Sequence, residues 1–344
     1  MTLNNSSFLY SRRTAIKFMA GLAGGLVLHQ ISPAEAQSSP MEMTLGGVTW
    51  IGLTPFYVAQ EKGFFSENDL DVDLQIFGSN TDYVSAFLAG RVDGAISSVT
   101  SETVLMAAKG KDFKIVMIQD NSAGGDGILA RNSVANIADF KGKKVAVEQG
   151  AVGHFFLLQV LEEAGLTEDD ITIINADAST AAAAYQAGNV DIASTFAPFL
   201  SQANQAQPDG RIIYDSSKMP TAITDFYIFD SEYLEANPQA VEAFVAGIAK
   251  ALEFIETNRD EAMAIAAPKL GVTPEALAAD LEGIELPGVT KNIEMLTDSS
   301  SDIYIVNSLE AMGDFLVAQG QIQTVPEMAT FIESEFIQSV QANN

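Results

Sequence analysis

The chain has 344 residues, 47% of them hydrophobic and 18% charged, enough to bury one large or two medium cores. Eighteen basic against forty-five acidic side chains give a formal net charge of −27, which excludes nucleic acid and anionic membrane surfaces as partners. With no cysteine and two histidines, disulfides and thiolate or redox-metal sites are excluded, and neither a metal nor a cofactor is expected.

Residues 1–36 read as an export leader. Ser11-Arg12-Arg13-Thr14-Ala15-Ile16-Lys17 sets paired arginines before an apolar run over 18–28, and Ala34-Glu35-Ala36 supplies the small residues a signal peptidase needs. An eleven-residue apolar run is too short to span a bilayer. The arginine pair resembles a twin-arginine signal, although Ala15-Ile16 stand where Phe-Leu is usual, so the general secretory route stays open. The rest of the chain is expected in the periplasm, and an uncleaved N-terminal anchor is the alternative.

From residue 43 onward short apolar strands alternate with helices. Strand 43–50 is followed by the loop Ile51-Gly52-Leu53-Thr54, and Pro55 begins a helix where its missing N–H is not needed. Strand 72–77, helix 81–89, strand 92–97, helix 101–108 and strand 113–119 complete a first lobe. The Gly124-Gly125 turn within 120–127 reads as a crossing into a second lobe that begins with strand 128–131. That lobe continues as strand 143–148, helix 154–164, strand 171–175, helix 178–187, strand 190–195, helix 198–206 and strand 211–215. Strand 226–229 reads as the crossing back. From 238 the composition turns Ala/Glu-rich and helical, interrupted at Pro268, Pro274, Pro287 and Pro326, and these helices are expected to buttress lobe one. The segments predicted are thus 37–127 for lobe one, 128–225 for lobe two, and 226–344 for the return to lobe one with the C-terminal helices.

One unit occurs twice. Residues 86–98 and 184–196 share Ala86/Ala184, Phe87/Tyr185, Ala89-Gly90/Ala187-Gly188, Val92-Asp93/Val190-Asp191 and Ala95/Ala193, an offset of 98 positions. In each copy a helix ends on a glycine able to take the left-handed conformation, and a buried strand follows. The fold class is therefore α/β: two lobes, each with a mostly parallel sheet flanked by helices, joined by two crossing strands, plus C-terminal helices. A ligand is expected between the lobes, beyond the carboxyl ends of the strands.

The loops at those strand ends carry hydroxyls, amides and acids but no Lys or Arg, which suits a cationic or multi-donor ligand better than an anion. Asp126 and Asp225 each precede a crossing strand and come within reach of one small ligand if the crossings run side by side. A turn carboxylate bonding its own backbone accounts equally for Asp126, and a solvated strand end for Asp225. Glu102 lies in the first turn of a helix, where any acid is favoured by the dipole. Trp50, the one tryptophan, and Phe196 offer aromatic faces to a flat cation, or pack in the core. Thr54, Ser98 and His154 complete the candidate set, His154 equally suiting a helix cap. Asp93 and Asp191, present in both copies, read as structural.

Several stretches are similar to a known family. These are Trp50-Ile51-Gly52-Leu53-Thr54-Pro55-Phe56-Tyr57-Val58-Ala59-Gln60-Glu61-Lys62-Gly63-Phe64-Phe65, the two Ala-Gly-X-Val-Asp units, Asp139-Phe140-Lys141-Gly142-Lys143-Lys144-Val145-Ala146-Val147 and Phe196-Ala197-Pro198-Phe199. Together they resemble the NitT/TauT (NMT1/SsuA-like) periplasmic substrate-binding proteins of ABC transporters, over about residues 43–285. The resemblance implies a type II periplasmic-binding-protein fold, closure on a small solute, and a membrane permease and ATPase as partners of a monomer. Asn121-Ser122-Ala123-Gly124-Gly125-Asp126-Gly127-Ile128 is similar to a segment of the urea carboxylase-associated subgroup, which implies guanidine or a urea-like compound as ligand. Taurine, an alkanesulfonate or nitrate is the alternative. The sequence contains no dinucleotide, P-loop or nucleophile-elbow motif. A pyrimidine synthase family of the same fold uses a cysteine-rich motif that this chain lacks, so no enzyme activity is expected.

Overall fold

Alternating strands and helices sort into two sheets because each apolar strand is too short to bury itself and pairs with the neighbours its crossover helix delivers. The computed structural model of the protein describes residues 39–343, and the leader read at 1–36 lies outside them. Lobe one runs β1 (Met41–Gly47), α1 (Thr54–Lys62), β2 (Leu70–Ile76), α2 (Asn80–Leu88), β3 (Gly94–Val99), α3 (Thr100–Ala108) and β4 (Phe113–Ser122). Lobe two follows as β5 (Asp126–Arg131), β6 (Lys144–Val147), α4 (Val152–Glu163), β7 (Thr172–Asn175), α5 (Ala178–Gln186), β8 (Ile192–Phe196), α6 (Phe199–Ala206) and β9 (Gly210–Asp215). The chain returns through β10 (Thr224–Asp230) and ends in α7 (Ser231–Ala236), α8 (Pro238–Thr257), α9 (Arg259–Leu270), α10 (Pro274–Asp280), β11 (Ile284–Glu285), α11 (Val289–Thr297), α12 (Ile305–Ala318) and α13 (Glu335–Asn343).

Read from the outer edge, the larger sheet is β2-β1-β3-β10-β4-β11 and the smaller is β7-β6-β8-β5-β9. In each, three strands are parallel and the strand that has crossed from the other lobe joins fourth, antiparallel. The sheets are mixed for that reason: a strand arriving directly from the far lobe has no crossover helix to turn it parallel. Gly90 and Gly188 end α2 and α5 at φ 65° and 77°, as the repeat requires. The edge strand β2 alternates buried Leu70 and Val72 with exposed Asp71, whereas central β3 is buried along its whole length.

The C-terminal helices pack on lobe one. Phe244 of α8 stacks on Phe65 with ring centroids 5.4 Å apart and meets Tyr227 and Phe229 edge-on. Three readings change. Pro268 does not break its helix; it sits in the last turn of α9, which continues to Leu270. The two-residue β11 was too short to leave a periodic signal, yet it pairs with β4 and closes the larger sheet. The chain re-enters lobe one at Thr224, before the expected Phe226, because hydrogen bonding to Asn121 of β4 begins there.

Candidate functional site

The two crossings do run side by side. Ser122 N–H donates to Ile223 O at 2.9 Å, Ser122 Oγ pairs with Ser216 Oγ at 2.8 Å, and Gly124 N–H donates to Ser216 Oγ at 2.7 Å. Residues before β11 cover this joint: Ala123 and Gly125 both donate N–H to Gly283 O at 2.8 Å. Gly125 has to be glycine, since a Cβ there would come within 2.6 Å of the Trp50 ring.

Against the joint lies a small cavity lined by Val48, Trp50, Asn80, Ser97, Val99, Asp126, Val152, Phe196, Ile223 and Asp225. It is far smaller than a site for a drug-sized ligand and takes a solute of a few heavy atoms at most. No Lys, Arg or His is among the lining residues. Trp50 from lobe one and Phe196 from lobe two meet edge-to-face across it, centroids 5.7 Å apart. Asp126 heads β5 opposite Phe196 and Asp225 lies on β10 opposite Val99, so each lobe contributes one carboxyl.

A third acid stands behind them. Asp120, fully buried, accepts the Trp50 indole N–H at 2.9 Å through Oδ2, while its Oδ1 has no donor among the described residues. Asp225 is its acidic neighbour, near enough for the charge of Asp120 to act on it. Burial, then the charges of Asp120 and Asp126, push Asp225 well above the usual carboxylate range. Burial likewise pushes Asp120 and Asp126 up to about 7, Asp126 against an opposing hydrogen bond with Ser122. Gly52 makes this arrangement possible: a Cβ would fall 1.9 Å from Asp120 Oδ2 and 2.4 Å from Trp50 Nε1.

The structure thus brings Trp50, Asp126, Phe196 and Asp225 to one cavity and places the other candidates elsewhere. Thr54 Oγ1 donates to Ile51 O at 2.7 Å inside its own turn. Ser98 Oγ is engaged with Thr103 Oγ1 at 3.0 Å. His154 Nδ1 accepts Gly150 N–H at 3.2 Å, and Nε2 faces Glu168 Oε2 at 3.5 Å, away from the cavity; burial lowers its pKa while Glu168 opposes the shift. Glu102 is buried between the lobes, where Oε1 accepts Val152 N–H at 3.0 Å.

Asn80, Ser97 and Asp120 belong to the site but were not singled out as contacts. Ser97 takes φ 61°, unusual for a residue with a Cβ, and is held there by Gln119, which accepts its N–H at 2.7 Å and donates to its Oγ at 2.8 Å. Asp120 did leave a signal, an acid ending the buried apolar run Ile115-Val116-Met117-Ile118. Nothing in its spacing showed that it would hold the Trp50 indole N–H.

A family model described as NMT1/THI5 like matches residues 50–262. A Brucella abortus protein named as a candidate binding protein is 28% identical over 301 residues, 85% of this chain and 90% of its own length. The taurine-binding periplasmic protein of Escherichia coli is 24% identical over 301 residues, 83% of this chain and 89% of its own. Among solved structures, the alkanesulfonate-binding protein SsuA of Xanthomonas axonopodis pv. citri bound to MOPS superposes with a TM-score of 0.70 at 19% identity, over 86% of this chain and 99% of that one. The architecture is that of periplasmic binding proteins.

Proposed function

Because the chain belongs to the NMT1/THI5-like family, we propose that it is an extracytoplasmic solute-binding protein that captures a small nitrogenous solute, guanidine or a urea-like compound, and delivers it to an ABC importer. The carrying observation is the cluster of three buried carboxyls, Asp120, Asp126 and Asp225, at a cavity without a basic side chain. Guanidinium answers it chemically: its edge N–H groups suit Asp126 and Asp225, and its flat faces suit Trp50 and Phe196. Burial raises these acids, which favours their protonated forms until a cation is there to balance the charge.

Binding that favours the closed form is what a permease and its ATPase would recognise, since only differential affinity for closed over open shifts the equilibrium. The reading is non-enzymatic. Ser97, the one hydroxyl among the lining residues, is engaged with Gln119, and no histidine lines the cavity to activate it. The name of the E. coli relative favours a second reading, a sulfonate such as taurine.

A thermal-shift panel of guanidinium, urea, taurine, nitrate and an aminopyrimidine separates the two. A true ligand at a hundred times its Kd adds about 2.7 kcal/mol of stability. Guanidinium is expected to give the largest shift; stabilisation by taurine or nitrate and not by guanidinium would reverse the assignment.

A further inference from the structure

Two helices start at the cleft, one in each lobe, and each is closed by a carboxyl from the opposite lobe. At the start of α2, Asn80 and Thr81 donate N–H to Glu148 of lobe two at 3.2 and 2.8 Å. At the start of α4, Val152 donates N–H to Glu102 of lobe one at 3.0 Å. A helix N-terminus with free N–H groups is a ready anion site. Here both termini are already filled, and by groups that can be there only while the lobes are together.

Glu148 directly follows β6, at the carboxyl edge of the smaller sheet, and is buried although no basic side chain among the described residues pairs with it. A buried carboxylate costs several kcal/mol unless donors compensate it, and the two N–H groups of α2 supply that compensation. Glu102 also accepts from Ser101 Oγ, and burial pushes it up to about 7. A separate contact, Ser201 Oγ to Asp280 Oδ2 at 3.0 Å, ties α6 to the C-terminal segment away from these termini. Asn80 and Val152 themselves line the cavity, so each clasp lies within one residue of the solute space.

We propose that Glu148 and Glu102 determine specificity: on closure each occupies the helix N-terminus of the opposite lobe, which holds the cleft shut and denies those termini to an anionic solute. This rests on the cation reading of the cavity and adds to it the means by which anions are refused. It also adds three hydrogen bonds across the cleft to whatever else holds the lobes together.

The test compares wild type, Glu148→Ala, Glu148→Gln and the double variant Glu102→Ala/Glu148→Ala. Ser79→Ala serves as a control, removing the cap that α2 receives within its own lobe through Asp82 N–H to Ser79 Oγ. Ligand-free solution scattering reads closure, and titration with guanidinium and taurine reads selection. Glu148→Ala is expected to enlarge the radius of gyration and weaken guanidinium about tenfold. Glu148→Gln keeps an acceptor and should stay closed, and the double variant should gain stabilisation from taurine that wild type lacks. Ser79→Ala should change neither closure nor selection. A Glu148→Ala protein as closed as wild type, or a guanidinium-binding wild type whose double variant still ignores taurine, overturns the clasp alone. Wild type that binds taurine overturns the cation reading and the exclusion together.

Discussion

The two lobes share a strand order and a repeated helix–glycine–strand unit, yet they place different chemistry at equivalent points. Lobe one brings Trp50, Asp120 and Asp225 to the cavity, a carboxyl pair braced by an indole N–H. Lobe two brings Asp126 and Phe196, a single carboxyl beside a ring. The repeat thus accounts for the frame, and the acids lie at the joints, outside it. The same contrast holds inside the repeat. Asp93 accepts Thr44 N–H at 2.7 Å and pins β3 to β1, while Asp191 has no side-chain hydrogen bond among the described residues. Equal sequence in the two copies did not bring equal work.

If lobe two has one carboxyl and lobe one has two, removing the single one costs more. Asp126→Asn should weaken guanidinium about a hundredfold by calorimetry, and Asp225→Asn only about tenfold because Asp120 remains behind it. Equal losses would mean the braced pair acts as two independent groups. Next in size is Gly52→Ala: its methyl occupies the space of the Asp120–Trp50 hydrogen bond and should cost about 2 kcal/mol of stability in denaturant unfolding.

The protonated cluster makes binding depend on pH. Burial raises Asp120 and Asp126 to about 7, so between the ordinary carboxylate range and that value the folded ligand-free protein holds more protons than the unfolded chain. Its stability should therefore fall as pH rises through that window. A cation must displace those protons, so guanidinium affinity should rise about tenfold from roughly pH 6 to pH 8 for each proton released, with urea changing less. A flat guanidinium profile would show that the acids are not neutralised in the free form.

Smaller effects separate the repeat's two aspartates. Asp93→Ala should cost about 1–2 kcal/mol through the unpaired Thr44 N–H, and Asp191→Ala should stay within about 0.5 kcal/mol, both by chemical denaturation.

Much of this was legible along the chain. Gly90 and Gly188 marked the helix ends, the alternation marked two lobes, and Gly124-Gly125 marked the first crossing, since each is a local backbone or burial requirement written in adjacent residues. The lack of Lys and Arg among the lining residues was legible too, because it is a property of composition near the strand ends. Thr54, Ser98 and His154 were plausible by position alone; Thr54 Oγ1, Ser98 Oγ and His154 Nδ1 each bond a neighbour within five residues, and His154 Nε2 faces Glu168.

Taken by itself, the sequence determined the class of fold, the duplicated frame and the acidic character of the cleft, because local periodicity and composition depend only on near neighbours. Tertiary structure alone decided which acids meet. Asp120 reaches Trp50 across 70 positions, and Glu148 reaches Asn80 across 68. The physical reason is that a carboxyl's partner, and with it its charge, is set by which strand ends the sheets bring together and how completely water is removed from them.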